Sequence, residues 1–231
     1  MFDISPTEWT AILLSLRVAV IATLVATPFG IGLAWLLARR DFWGKSILDA
    51  AVHLPLVLPP VVTGYLLLLT LGKRGLVGAW LAEHLGIVFA FRWTGAALAC
   101  GVMSFPLLVR PIRLSIEAVD RRLEQAAETL GAAPWRVFAT VTLPLALPGV
   151  LAGMVLGFAK AIGEFGATIT FVSNIPGETQ TISSAIYSLI QTPDGDAAAG
   201  RLVIISVAIA MGALIAAEWF ARRATARLHG Q

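Results

Sequence analysis

Charge is scarce in this chain: Asp, Glu, Lys and Arg make up 13% of 231 residues, against about 25% in soluble domains. So few charges cannot cover the surface of a soluble globule, and 58% hydrophobic residues with a mean hydropathy of +0.83 point to a membrane protein instead. Cysteine is nearly absent, with Cys100 alone, which excludes an intrachain disulfide and any thiolate cluster. The three histidines, His53, His84 and His229, lack ligand spacing, so no metal site is expected. Gly44-Lys45-Ser46 resembles the tail of a phosphate-binding loop, but Arg39 stands where its first glycine belongs. No Gly-x-Ser-x-Gly elbow and no paired intramembrane carboxylates occur, so the chain is expected to bind no cofactor and to catalyse no reaction. A pI near 9.5 reflects basic loops on one membrane face rather than a nucleic-acid partner.

What is abundant is apolar sequence in runs of roughly 20 residues, the length that crosses a bilayer as a helix. Ten-residue alternation, the mark of a membrane barrel, is missing. The expected class is therefore an all-α integral membrane protein, one domain over 1–231, with five spans at about 11–37, 47–71, 94–111, 145–161 and 202–221. A short apolar stretch at 181–192, bracketed by Asn174, Gly177, Asp194 and Asp196, is expected to form a non-spanning helix. The first helix is expected to be retained, because Asp3 and Glu8 replace the positive start of a signal peptide. Eleven of the 17 Lys and Arg collect on one side: Arg39, Arg40, Lys45, Arg110, Arg113, Arg121, Arg122, Arg136, Arg222, Arg223 and Arg227. That bias puts the N-terminus outside and the C-terminus in the cytoplasm.

The segment 117–144 is too polar for lipid and too patterned for a linker. Leu123, Ala126, Ala127 and Leu130 fall on one helical face, with Arg121, Arg122, Glu124, Gln125 and Glu128 elsewhere. Gly131 stands where a helix end needs a positive φ, and Pro134 suits the first turn of a second helix. That second helix should show Trp135, Phe138 and Ala139 on its apolar face and end at Leu143-Pro144. The alternative is a hairpin resting on the lipid surface. Such a helix carries bulky apolar residues over a Lys/Arg-rich face, whereas alanines suit close approach to another protein.

The spacing Gln125-Ala126-Ala127, three residues, Gly131, nine residues, Val141, Thr142, Leu143-Pro144 resembles the Glu-Ala-Ala signature of type I ABC importer permeases. Two positions depart from it, Gln125 for glutamate and Val141 for isoleucine. The resemblance continues through His53-Leu-Pro-Leu-Val-Leu-Pro-Pro, Phe105-Pro106-Leu-Leu-Val-Arg110, Gly163 to Thr179 and Ile190-Gln191-Thr192-Pro193, which are similar to the permeases of molybdate importers. It implies a coupling loop whose contact to the ATPase comes from Glu124 or from Gln125. It further implies a second copy of the chain, cytoplasmic ABC ATPase subunits carrying ATP and Mg, and a periplasmic molybdate-binding protein. The implied activity is alternating-access import of an oxyanion across the bacterial inner membrane. Sulfate or tungstate is the alternative cargo; a membrane anchor that recruits a cytoplasmic protein, or an ion-driven secondary transporter, is the alternative in another class.

Candidates for the path are fewer. Pro59 and Pro60, with Pro55, break the second span, and broken helices often border transport sites, though a plain packing kink gives the same sequence. Lys160 and Glu164 lie one helical turn apart, and a lone charge at mid-membrane costs about 2.5 to 3.5 kcal/mol, so they should pair. The pair is either structural or part of a gate. Thr168, Thr170, Ser173 and Asn174 offer neutral donors for a passing anion, or ordinary interfacial polarity.

Overall fold

A computed structural model describes residues 4–228, and it is helical, with no strand among them. Asp3 and His229 lie outside the described residues, as do the side chains of Arg222, Arg223 and Arg227.

The first helix, α1 (Pro6–Arg39), starts at a capping box: Ser5 Oγ accepts from the Glu8 amide and Glu8 Oε2 accepts from the Ser5 amide at 2.6 Å. It runs 34 residues, enough to cross a bilayer with turns to spare. The next apolar stretch is split into α2 (Lys45–Val57) and α3 (Pro60–Leu71), bent by 114°. The prolines cause the break. Neither Pro59 nor Pro60 can donate a helix hydrogen bond, and Pro59 forces Leu58 into extended backbone at φ −71°, ψ 143°. Pro60 then opens α3 at a position where its missing N–H costs nothing.

A further helix, α4 (Leu76–Leu85), lies between two glycine boundaries, Gly75 and Gly86, where the sequence reading had only a connection. Then α5 (Trp93–Glu117) outruns its expected end at Pro111 by six residues. A proline removes one backbone bond from a helix, and here Ile112 and Ile116, both fully buried, hold the last turns in place. Two short helices follow, α6 (Arg121–Thr129) and α7 (Pro134–Val137).

From Pro134 the chain stays helical to Ile162, through a π turn at Phe138–Thr142 and α8 (Leu143–Ile162). The expected stop at Leu143-Pro144 is therefore not a stop. Pro144 has no N–H and its ring would press on the carbonyl four residues earlier; the wider π turn, in which the Leu143 amide reaches Phe138 O, makes room for it. The remaining helices are α9 (Gly166–Val172), α10 (Ile182–Leu189) and α11 (Asp196–Leu228), the last beginning six residues ahead of the expected Leu202.

Among the described residues four helices are long and apolar enough to span a membrane, or five spans if α2 and α3 form one. In the bundle α5 is central, packed against α1 and α8. One apolar cluster joins α1, α5 and α9 through Val18, Cys100, Met103 and Phe171. A second joins α1, α5 and α8 through Ala34, Leu108, Ile112 and Val150. A third, smaller one fastens α10 and α11 to the start of α1 through Ile12, Ile182 and Leu202.

Candidate functional site

The paired-helix loop is built from local signals. Asp120 caps α6 by accepting from the Arg122 amide at 2.9 Å. At the other end Gly131 takes φ +86°, a conformation in which a side chain is strained, and the Ala132 amide returns to Ala127 O at 3.1 Å. Pro134 then starts the next helix.

No residue of α6 is buried, and its apolar stripe faces away from the bundle. Leu123 is 50% exposed, Leu130 89% and Trp135 67%; Gln125 and Ala126 are exposed as well, and Ala127 half-buried. Val141 and Leu143 are half-buried and Pro144 is exposed. The loop thus leaves apolar side chains exposed beside polar ones, outside the long apolar helices.

Glu124 differs from its neighbours. Its side chain turns inward and is 14% exposed. Oε1 accepts from Arg39 Nε at 3.1 Å and from Thr142 Oγ1 at 2.6 Å, and it lies 3.0 Å from Arg39 Nη2 in an ion pair. Arg39 Nη2 also donates to Val119 O at 3.0 Å. Of the two adjacent candidates, Glu124 is engaged within the chain and Gln125 is exposed. Around this node lies a polar cleft of about 270 Å³ bounded by Trp35, Arg39, Arg40, Arg121, Glu128 and Phe138, among others. At the neighbouring turn the Asp41 carboxyl sits below the usual carboxylate range, held there by a 2.8 Å hydrogen bond from Lys45 and, more weakly, by the charge of Arg121.

The second candidate region is the α8–α9 turn. Lys160 Nζ meets Glu164 Oε2 at 2.7 Å, and Glu164 Oε1 accepts from the Ala167 amide at 2.9 Å. Glu164 is 2% exposed and so both pairs with the cation and caps α9. The break in the second span comes to the same place. A methyl on Gly166 would lie 2.7 Å from Pro60 Cβ, and one on Gly64 would lie 2.5 Å from Ala167 O, so α3 and α9 touch along their backbones. Pro60, Glu164, Thr168 and Thr170 thereby belong to one neighbourhood, with Pro59 exposed at its edge.

The polar side chains there are mostly occupied. Thr168 donates to Phe165 O and Thr170 to Gly166 O, each within its own helix. Ser173, at φ +66°, is exposed, and Asn174 Nδ2 donates to Ser188 Oγ at 2.6 Å. Only Ser173 of the four faces outward without a hydrogen bond from its hydroxyl to a neighbouring helix turn. Sequence reasoning missed Arg39, Thr142, Thr63 and Thr179. Thr179 is buried, donates to Ser173 O and accepts from the Ile175 amide, which folds the 173–180 loop onto itself. Thr63 is buried with its hydroxyl oxygen unpartnered. No short-range pattern announces any of these, since their partners are set by packing. Among the described residues no group of three His, Cys, Asp or Glu could hold a metal ion.

The same helical arrangement occurs in a bacterial ABC transporter that imports the acidic polysaccharide alginate. The match has a TM-score of 0.74 at 21% identity and covers 95% of this chain and 80% of that one. The fold is that of an ABC-importer permease, a multi-pass inner-membrane protein. Residues 26–226 match the model of the binding-protein-dependent transport system inner membrane component, and the chain belongs to that family. It is 63% identical over 215 residues to the molybdenum transport system permease protein ModB of Escherichia coli (strain K12), covering 93% of this chain and 94% of the relative. To the Haemophilus influenzae protein of the same name it is 56% identical over 221 residues, covering 96% of both.

Proposed function

We propose that this chain is the membrane-spanning permease of a molybdate importer. The observation that carries the reading is the 63% identity to the Escherichia coli molybdenum permease, which extends over nearly the whole of both chains. Two copies form a central path, with the N-termini outside and the C-termini in the cytoplasm, where the basic loops favour them. The exposed stripe of α6, with Gln125, Ala126 and Leu130, docks on a cytoplasmic ATPase that holds ATP and Mg; this chain hydrolyses nothing and binds no cofactor. A periplasmic binding protein delivers the anion. The Lys160–Glu164 pair and the α3–α9 contact stand at the gate. Closure of the ATPase pair swings α6, the path opens outward to take the anion, and hydrolysis turns it inward.

Uptake of radiolabelled molybdate into vesicles that contain permease, ATPase and binding protein tests this. ATP-dependent uptake competed by unlabelled molybdate is expected. Stronger competition by sulfate than by molybdate would move the cargo to sulfate, a similar advantage for tungstate would move it there, and uptake indifferent to ATP would sink the importer reading.

A further inference from the structure

The inward turn of Glu124 has a mechanical meaning. Its Oε1 gathers two donors from two elements, Nε of Arg39, the last residue of α1, and the hydroxyl of Thr142, at the end of the π turn that leads into α8, with Arg39 Nη2 also 3.0 Å away. Arg39 also reaches Val119 O, just ahead of α6, so one guanidinium joins the end of α1 to the loop at two points. The node is enclosed, with Arg39 9% and Glu124 14% exposed at the side chain and Thr142 buried. Charge-assisted bonds shielded from water are the strong ones. A second contact binds the same elements independently: Trp35 of α1 and Phe138 of the π turn meet edge to face, with ring centroids 6.0 Å apart at 71°.

We propose that Arg39, Glu124 and Thr142 form a latch that makes the docking helix α6 move as one body with the cytoplasmic ends of α1 and α8. Resting on the reading of α6 as the ATPase-docking helix, the latch assigns Glu124 a positioning role instead of contact with the partner. It also makes α1 a driven helix: a push on the outer face of α6 is delivered at once to α8, through Thr142, and to α1, through Arg39. Without the latch, the Gly131 turn and the wide π turn would let α6 tilt while the spans stay still.

The test uses the whole complex in vesicles and reads molybdate transported per ATP hydrolysed, together with retention of the ATPase on the purified permease. Arg39→Met and Glu124→Ala should each lower transport per ATP about tenfold, a size ordinary for coupling between sites, and leave ATPase retention unchanged. The double variant should be no worse than either single one, because both remove the same interaction. Thr142→Val keeps the volume and removes one donor, and should cost about threefold; it carries the test if Arg39→Met does not accumulate in the membrane. Unchanged transport per ATP in these variants, or additive losses in the double variant, would overturn the latch. So would loss of ATPase retention confined to Glu124→Ala, which would make Glu124 a partner contact. A wild-type complex without ATP-dependent uptake overturns the importer reading and this role with it, whereas the variant results bear on the latch alone.

Discussion

Two ion pairs, chemically alike, hold this molecule in opposite ways. Lys160, in the last turn of α8, and Glu164, in the break before α9, are four residues apart, at 2.7 Å, and brace that turn. Arg39 and Glu124 are 85 residues apart, at 3.0 Å, and tie the end of α1 to the loop that follows α5. A local pair braces one turn between neighbouring helices; a distant pair joins bodies that would otherwise move separately. The difference also sets what happens when each is cut. Removal of Glu164 strands a cation in the bundle and uncaps α9, while removal of Glu124 frees two helix ends from a loop.

The comparison is broken most directly at Glu164. Glu164→Ala leaves Lys160, 29% exposed at its side chain, without its partner and the Ala167 amide without an acceptor. Destabilisation of about 3 to 5 kcal/mol is expected, read as a fall in the unfolding temperature of the detergent-solubilised protein. Glu124→Ala should cost less, about 1.5 to 3 kcal/mol, because Arg39 keeps its bond to Val119 O. The same unfolding measurement ranks the two, and the reverse ranking would mean that the long-range pair is the stronger one.

Gly131→Val sharpens the contrast between strut and docking face. Its φ of +86° is costly for a β-branched residue, about 1 to 2 kcal/mol, and the loop must rearrange to relieve it. Loss of ATPase from the purified permease is expected while the protein remains inserted, and normal co-purification with normal uptake would refute the role of this turn. Smallest in stability are changes on the outer face of α6. Leu130→Ser and Gln125→Ala should leave unfolding within about 0.5 kcal/mol of wild type. Leu130→Ser should still weaken ATPase binding about tenfold, as removal of an anchor from an interface does; affinity unchanged in both variants would place the docking surface elsewhere.

Much of this was legible before any coordinates. The break at Pro59-Pro60, the positive φ at Gly131, the helix start at Pro134 and the Lys160–Glu164 pair each follow from a few neighbouring residues. Where the reading went astray, distant packing had overruled a local rule. Pro111 did not end α5, since Ile112 and Ile116 are buried in the core beyond it. Nor did Pro144 end its helix, because a π turn absorbed it. The polar run after Glu164 looked like a row of free donors, yet Thr168 and Thr170 spend their hydroxyls on their own helix.

By itself the sequence determined the membrane-bound class, the patterned loop and the places where helices must bend, because hydropathy, proline geometry and glycine φ act within a turn or two of chain. Only the tertiary structure decided that α3 lies against α9, that Leu123 and Leu130 of the patterned loop are left exposed, and that of the adjacent Glu124 and Gln125 the first turns inward to Arg39 while the second is exposed. Those outcomes depend on which distant surfaces meet, and a carboxylate's partner 85 positions away leaves no mark on the residues beside it.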